Sequence, residues 1–234
     1  MRNFEMPGRS PVFAANGLCA TSHPLAAQAA VRILQDGGNA VDAAIAGAVL
    51  LGFAEPQMAG LGGDCFVLLK PPGEERILAL NGSGRAPRGL DADRLRAAGA
   101  TAIGTESAEA VTVPGAVDAF CRLSAEWGRL GLADSLAPAI HYADEGIPVA
   151  PRVAFDWADE ASRLSGAARR FYLKDDAAIE VGDTFRAPQQ AEVLLGQVGG
   201  VEQALEEVRR PRPAGEAVLG HHPQHASRVP GVEQ

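Results

Sequence analysis

Aromatic side chains are scarce in this sequence, 5% of its 234 residues, and lysine is scarcer still, with only Lys70 and Lys174. With so few rings, a core has to be filled by Ala, Leu and Val, and a hydrophobic content of 47% is enough for one domain-sized core. Arginine carries nearly all the positive charge, a bias common in chains from GC-rich genomes. Cysteine is limited to Cys19, Cys65 and Cys121. An odd, sparse set without a CxxC pair argues against a disulfide framework and against a cysteine zinc site. Cys65 opens an apolar stretch and reads as a small buried hydrophobe. Positive excess is also missing: the net charge is −8, whereas phosphate binding needs a basic surface, so no nucleic-acid partner is expected. The longest apolar run, Ala43 to Ala54, falls short of the roughly 20 residues needed to cross a bilayer. The N-terminal MRNFEMPGRSPVF lacks the apolar region of a secretory signal. No membrane partner and a cytoplasmic location are the expectations.

What is present is a well-punctuated series of elements. Ser22 ahead of Pro24 reads as a helix cap, and Leu25, Ala29, Ile33 and Leu34 recur at helical spacing through Asp36. Gly37 and Gly38 end that helix, and Asn39 caps the next. Val41 to Leu51 is apolar almost all round, as in a helix buried on most faces, and Pro56 stops it. The glycine-rich loop 60–64 then leads to a strand over 66–69, a turn over 71–74 and a second strand over 76–80. Both strands are mostly apolar, which predicts a sheet covered on both faces. Asn81 to Gly89 is a turn-rich loop. Asp91 to Ala98 predicts a short helix, and Val111 to Gly115 a strand-like piece feeding a helix through Trp127. Asp134 reads as a further helix cap, Pro151 as the start of a helix through Leu164, and Ala187-Pro188 as the start of the last. Pattern alone supports a mixed α/β layer structure.

Several residues invite a chemical role and have a structural alternative. Gly60-Leu61-Gly62-Gly63-Asp64 has the glycines of an anion-binding nest, but it lacks a Lys-Ser/Thr ending and precedes a strand. A tight turn permitting close packing is the favoured reading. Asp42, inside an apolar helix, has to be hydrogen-bonded if buried. His23 and His141 have no Ser or Cys at a meaningful spacing and read as local hydrogen-bonding or core histidines. His221, His222 and His225 form an HHxxH cluster broken by Pro223, so no metal site is expected.

Four pieces carry a resemblance: Gly37-Gly38-Asn39-Ala40-Val41-Asp42-Ala43-Ala44, then Glu55-Pro56 with Gly60-Leu61-Gly62-Gly63, then Arg85-Ala86-Pro87, then Val113-Pro114-Gly115. In order and spacing they resemble the large subunit of the gamma-glutamyltransferase family of N-terminal nucleophile hydrolases, over about residues 14 to 192. The resemblance implies a partial four-layer αββα sandwich, shared with a small subunit released when the precursor cleaves itself. The nucleophile would be that subunit's N-terminal threonine, with its own α-amine as base. No cofactor and no metal are implied. None of Thr21, Thr101, Thr105, Thr112 and Thr184 stands in the Thr-Thr pair followed by His that marks the family's processing site. The expectation is therefore no catalytic residue here, a missing small subunit as partner, and no hydrolase activity from this chain alone.

The family's loop after the second strand reads Asp-Gly-Arg-Glu-Thr-Ala-Pro, with the arginine on the substrate α-carboxylate. Here it is Asn81-Gly82-Ser83-Gly84-Arg85-Ala86-Pro87. Ser83 holds the arginine position and Arg85 lies two residues on, so both are candidate substrate-binding residues, for a small gamma-glutamyl or amide substrate. Serine cannot grip a carboxylate as a guanidinium does. Arg85 either reaches over on a glycine-flanked loop, or glutamyl specificity is altered. The loop form and the Pro-Gln-Met after Glu55 resemble an acylase-like and oxamate amidohydrolase-like branch. Residues 193–234 form an atypical tail, without an aromatic residue after Phe185 or an isoleucine after Ile179. A shifted reading frame and a natural disordered tail both account for it. A non-catalytic scaffold subunit and a truncated product remain the alternatives to an enzyme half.

Overall fold

The computed structural model describes residues 11–104 and 107–209. The described residues are helix-rich α/β, with three separate two-stranded antiparallel sheets, and they group into two compact units. The first takes in the described part of Met1–Gly60 with Leu123–Gln203, the second Leu61–Arg122 with the described part of Ala204–Gln234.

The first unit is built on α1 (Pro24–Gln35) packed against α2 (Ala40–Ala54). The cap of α1 is His23, not Ser22: His23 Nδ1 accepts the Leu25 N–H at 3.2 Å, while the Ser22 hydroxyl donates to Glu55 Oε2. An Nδ1 that accepts a backbone N–H carries no proton for a carboxylate, whereas the serine hydroxyl can donate one, which sorts the two roles. Gly37, at φ 99°, turns the chain out of α1. Asn39 Oδ1 then takes the Val41 and Asp42 N–H groups while Asp42 Oδ2 takes the Asn39 N–H, a reciprocal capping box. Helix α2 is buried along Val41, Ala43, Ile45, Ala46, Val49, Leu50 and Phe53, as its all-round apolar sequence requires.

The first unit continues with α5 (Leu132–Glu145), which packs on α2, then β3 (Ile147–Pro148), α6 (Pro151–Glu160), α7 (Gly166–Tyr172), β4 (Leu173–Lys174), β5 (Ala177–Ala178), β6 (Thr184–Phe185) and the part of α8 (Pro188–Arg209) up to Gln203. The cap of α5 is Gly131, at φ 93°, and not Asp134. Asp134 sits inside the first turn, where its charge meets the positive end of the helix dipole. β3 pairs with β6 and β4 with β5. The few aromatic residues are concentrated: Phe185 stacks on Phe53 at 5.3 Å and takes the edge of Trp157 at 5.0 Å, with Tyr172 at 5.9 Å. A ring cluster buries large areas per residue, so a chain poor in aromatics spends them where several elements converge.

The second unit holds the hairpin of β1 (Cys65–Leu69) and β2 (Leu78–Gly82), α3 (Ala92–Ala97), and the start of α4 (Ala116–Trp127). In the hairpin Cys65 pairs with Gly82, Val67 with Leu80 and Leu69 with Leu78. The second strand is therefore Leu78–Gly82, two residues later than the hydrophobic run suggests, because ladder pairing rather than apolarity decides its end. The sheet is not covered on both faces: Cys65, Val67 and Leu69 are half-buried, while Phe66 and Leu68 are 67% and 77% exposed. Alternating side chains point to opposite faces, and only one has a covering here. Val111–Gly115 forms no strand; its hydrogen bonds go to loops. Asp91 caps α3 as its side chain allows, accepting the Asp93 and Arg94 N–H groups. Helix α8 crosses residue 192, and residues 210–234, with His221, His222 and His225, lie outside the described residues.

Candidate functional site

The loop that follows β2 is the part of the second unit with chemistry to offer. Asn81 Oδ1 accepts the Ser83 N–H at 2.9 Å, an Asx turn that bends the chain as it leaves the strand. Ser83 and Arg85 are both exposed. No acidic group among the described residues pairs with the Arg85 guanidinium. The Arg85 carbonyl, in contrast, is held by the Val113 N–H at 2.9 Å.

The glycines here serve close approach rather than flexibility. Gly82, Gly84 and Gly115 are absent from the positive-φ residues. A Cβ on Gly82 would lie 2.6 Å from the Cys65 carbonyl oxygen and 2.7 Å from Ala119 Cβ. One on Gly84 would run into the Val113 carbonyl and the Thr112 hydroxyl. The main chain of the loop is thus pressed onto Thr112–Gly115. The Gly60–Asp64 loop behaves as a packing turn too. Its Gly63 carbonyl accepts the Gly115 and Ala116 N–H groups, at 3.1 and 3.0 Å, and so occupies the first donors of α4.

In the first unit, Asp42 is fully buried and structural. Its carboxylate accepts the N–H groups of Asn39 and Arg129, each at 2.9 Å, and of Leu130 at 3.4 Å. His23 is buried as well, and burial pushes its imidazole below the usual histidine range, with the Glu55 carboxylate opposing that shift. Its Nε2 has no partner among the described residues. The Ser22–Glu55 bond and this buried His23 escaped the sequence reading, because the link joins the start of α1 to the end of α2, 33 residues apart. His141 is exposed against Tyr142, so it is not a core histidine.

Neither Cys65 nor Cys121 is an activated thiol. Cys65 and Cys121 are pushed up by burial, Cys121 further by Asp118, which keeps both thiols protonated near neutrality. Cys19 is likewise unbridged. Thr21 and Thr112 are half-buried and Thr184 lies in β6; all are internal to the chain and lack the free α-amine of a threonine nucleophile. Among the described residues no cluster of His, Cys, Asp and Glu could hold a metal, and no helix is long and apolar enough to cross a membrane.

The profile of the family described as gamma-glutamyltranspeptidase matches residues 26–199. The chain is 44% identical over 128 residues to the glutathione hydrolase-like YwrD proenzyme of Bacillus subtilis (strain 168), covering 54% of the chain and 24% of the relative. It is 36% identical over 189 residues to the oxamate amidohydrolase proenzyme of Klebsiella pneumoniae subsp. pneumoniae, covering 76% of the chain and 35% of the relative. The crystal structure of cephalosporin acylase from Bacillus halodurans superposes with a TM-score of 0.78 at 38% identity, over 87% of this chain and 39% of that one. The chain therefore spans about a quarter to a third of the length of these curated relatives.

Proposed function

This chain belongs to the gamma-glutamyltranspeptidase family, whose members are transferases and hydrolases, and we propose that it is the large-subunit part of such an enzyme. Its task is to present Ser83 and Arg85 to a small amide substrate, while an N-terminal threonine outside this chain attacks the amide carbon and forms the acyl-enzyme. The observation that carries this reading is Arg85: an exposed cation without a partner among the described residues, on a loop whose main chain is held on both sides. A guanidinium with all its donors free is suited to a substrate carboxylate.

The partner is a small subunit bearing that threonine. Supporting it are the word proenzyme in the relatives' names and the open face of the β1–β2 hairpin, where Phe66 and Leu68 lie exposed with Val111 and Val113 in the same unit. Covering that face would complete a four-layer αββα sandwich. The displacement of arginine from position 83 to 85 favours an amide-acid substrate of the acylase or oxamate kind over a gamma-glutamyl group. A scaffold subunit without catalysis is the second reading.

The test is hydrolysis of a gamma-glutamyl anilide and of oxamate, by the chain alone and by the chain co-folded with a threonine-initiated small subunit. Silence alone and turnover of oxamate in the pair are expected. Turnover by the chain alone would overturn the assignment, and an inert pair that has nonetheless assembled would favour the scaffold.

A further inference from the structure

Arg85 can act as a carboxylate ligand only if its place is reproducible, and an exposed arginine just after Gly82 and Gly84 looks mobile in sequence. The structure around it is the opposite. A Cβ on Gly115 would collide with the Gly82 carbonyl and come within 2.8 Å of the Gly84 nitrogen and 2.9 Å of the Ser83 carbonyl carbon. Thr112 Cβ stands 2.8 Å from the Cβ position of Gly84. The Val113 N–H donates to the Arg85 carbonyl at 2.9 Å, and the Gly115 N–H ties the same segment to the Gly63 carbonyl at 3.1 Å.

We propose that Thr112–Gly115 is a positioning template for the substrate-binding loop: it holds the main chain of Ser83–Arg85 so that the serine hydroxyl and the arginine cation face a ligand at a set spacing. This rests on the reading of Arg85 as the carboxylate ligand. The ligand class follows from the pair of groups: a short amide acid, its carboxylate on the guanidinium and a neutral hydrogen-bonding group on the hydroxyl. Holding the main chain before binding removes an ordering cost that a mobile loop would pay with each ligand. Val113 is the informative position, because its side chain is 55% exposed while its N–H makes the bond. Proline there deletes the donor and places a ring carbon against the Arg85 carbonyl; alanine keeps the donor.

The experiment is titration of the full isotope-labelled chain with oxamate, with neutral oxamide as control, following the Arg85 Nε–H resonance. The variants are Val113→Pro, Val113→Ala, Gly84→Ala and Arg85→Ala. Oxamate should shift the wild-type resonance and oxamide should not. Val113→Ala should bind as wild type, and Val113→Pro and Gly84→Ala should each weaken oxamate at least tenfold. Val113→Pro should keep the far-UV circular dichroism of Val113→Ala under the binding conditions, its lost bond lowering only the unfolding midpoint, which separates positioning from loss of fold. If Val113→Pro and Gly84→Ala both bind within twofold of wild type while Arg85→Ala does not, the template is wrong and the Arg85 reading stands. If Arg85→Ala binds oxamate like wild type, or the wild-type resonance does not respond, the Arg85 reading fails and the template with it.

Discussion

Replacing Asp42 by alanine should be among the most damaging single changes in the first unit. The carboxylate is 0% exposed and accepts two backbone N–H bonds at 2.9 Å, from Asn39 and Arg129, with a longer third from Leu130 at 3.4 Å. Truncation leaves those donors facing an apolar void that offers no acceptor. An unsatisfied buried donor costs about 1–3 kcal/mol, so the two short bonds together place the loss at about 2–6 kcal/mol. Against a whole-domain stability of about 5–15 kcal/mol, that is enough to leave the variant marginal at 25 °C. Urea unfolding of the full chain, followed by far-UV circular dichroism, measures it directly. With a slope of about 2.5 kcal/mol/M, a loss of about 4 kcal/mol lowers the midpoint by about 1.6 M. Asp42→Asn keeps one acceptor oxygen and should lose about half as much. A midpoint for Asp42→Ala within about 0.4 M of wild type, with an unchanged slope, would refute the claim that this carboxylate joins α2 to the 129–130 turn.

Other consequences are as specific. His23 binds its proton less readily when folded than when unfolded, so the unfolded state holds more protons just below pH 6.5 and stability falls as pH drops through that window. His23→Asn, which keeps a capping acceptor, should flatten that part of the pH–stability curve, whose slope from one proton is at most about 1.4 kcal/mol per pH unit. Phe53→Ala removes a fully buried ring stacked on Phe185 and should cost about 3–5 kcal/mol by the same urea assay. Phe66→Ser with Leu68→Ser should cut the binding of a hydrophobic dye by the isolated chain while changing its unfolding free energy by less than about 1 kcal/mol, since both side chains are mostly exposed. The same pair should abolish assembly with the small subunit, checked by size-exclusion chromatography.

The local grammar of the chain was written in its sequence because it depends on residues only a few positions apart. Gly37 stops α1, Asn39 and Asp42 box the start of α2, Pro56 bars its continuation, and Asp91 caps α3, each through contacts within four residues. Family membership was legible for a related reason: the glycine, proline and capping residues that carry it form separated, ordered motifs. Where two nearby residues compete for one role, local pattern was not enough. Ser22 and His23 both suit a cap, and only the arrival of Glu55 from the far end of α2 takes the serine away. Asp134 and Gly131 compete likewise, and the positive φ of Gly131 decides.

The sequence by itself determined most of the helices, the boundary between α1 and α2 and the family, because those follow from periodicity and from short-range hydrogen bonding. The tertiary structure alone decided what the glycines beside Arg85 are for. Gly82, Gly84 and Gly115 look like hinges in one dimension. In three dimensions they are the absence of side chains where two segments, about 30 residues apart, press main chain against main chain. Likewise, apolar strands predict burial without saying on which face, and only the pairing of β1 with β2 shows that Val67 turns inward while Phe66 and Leu68 are left facing outward.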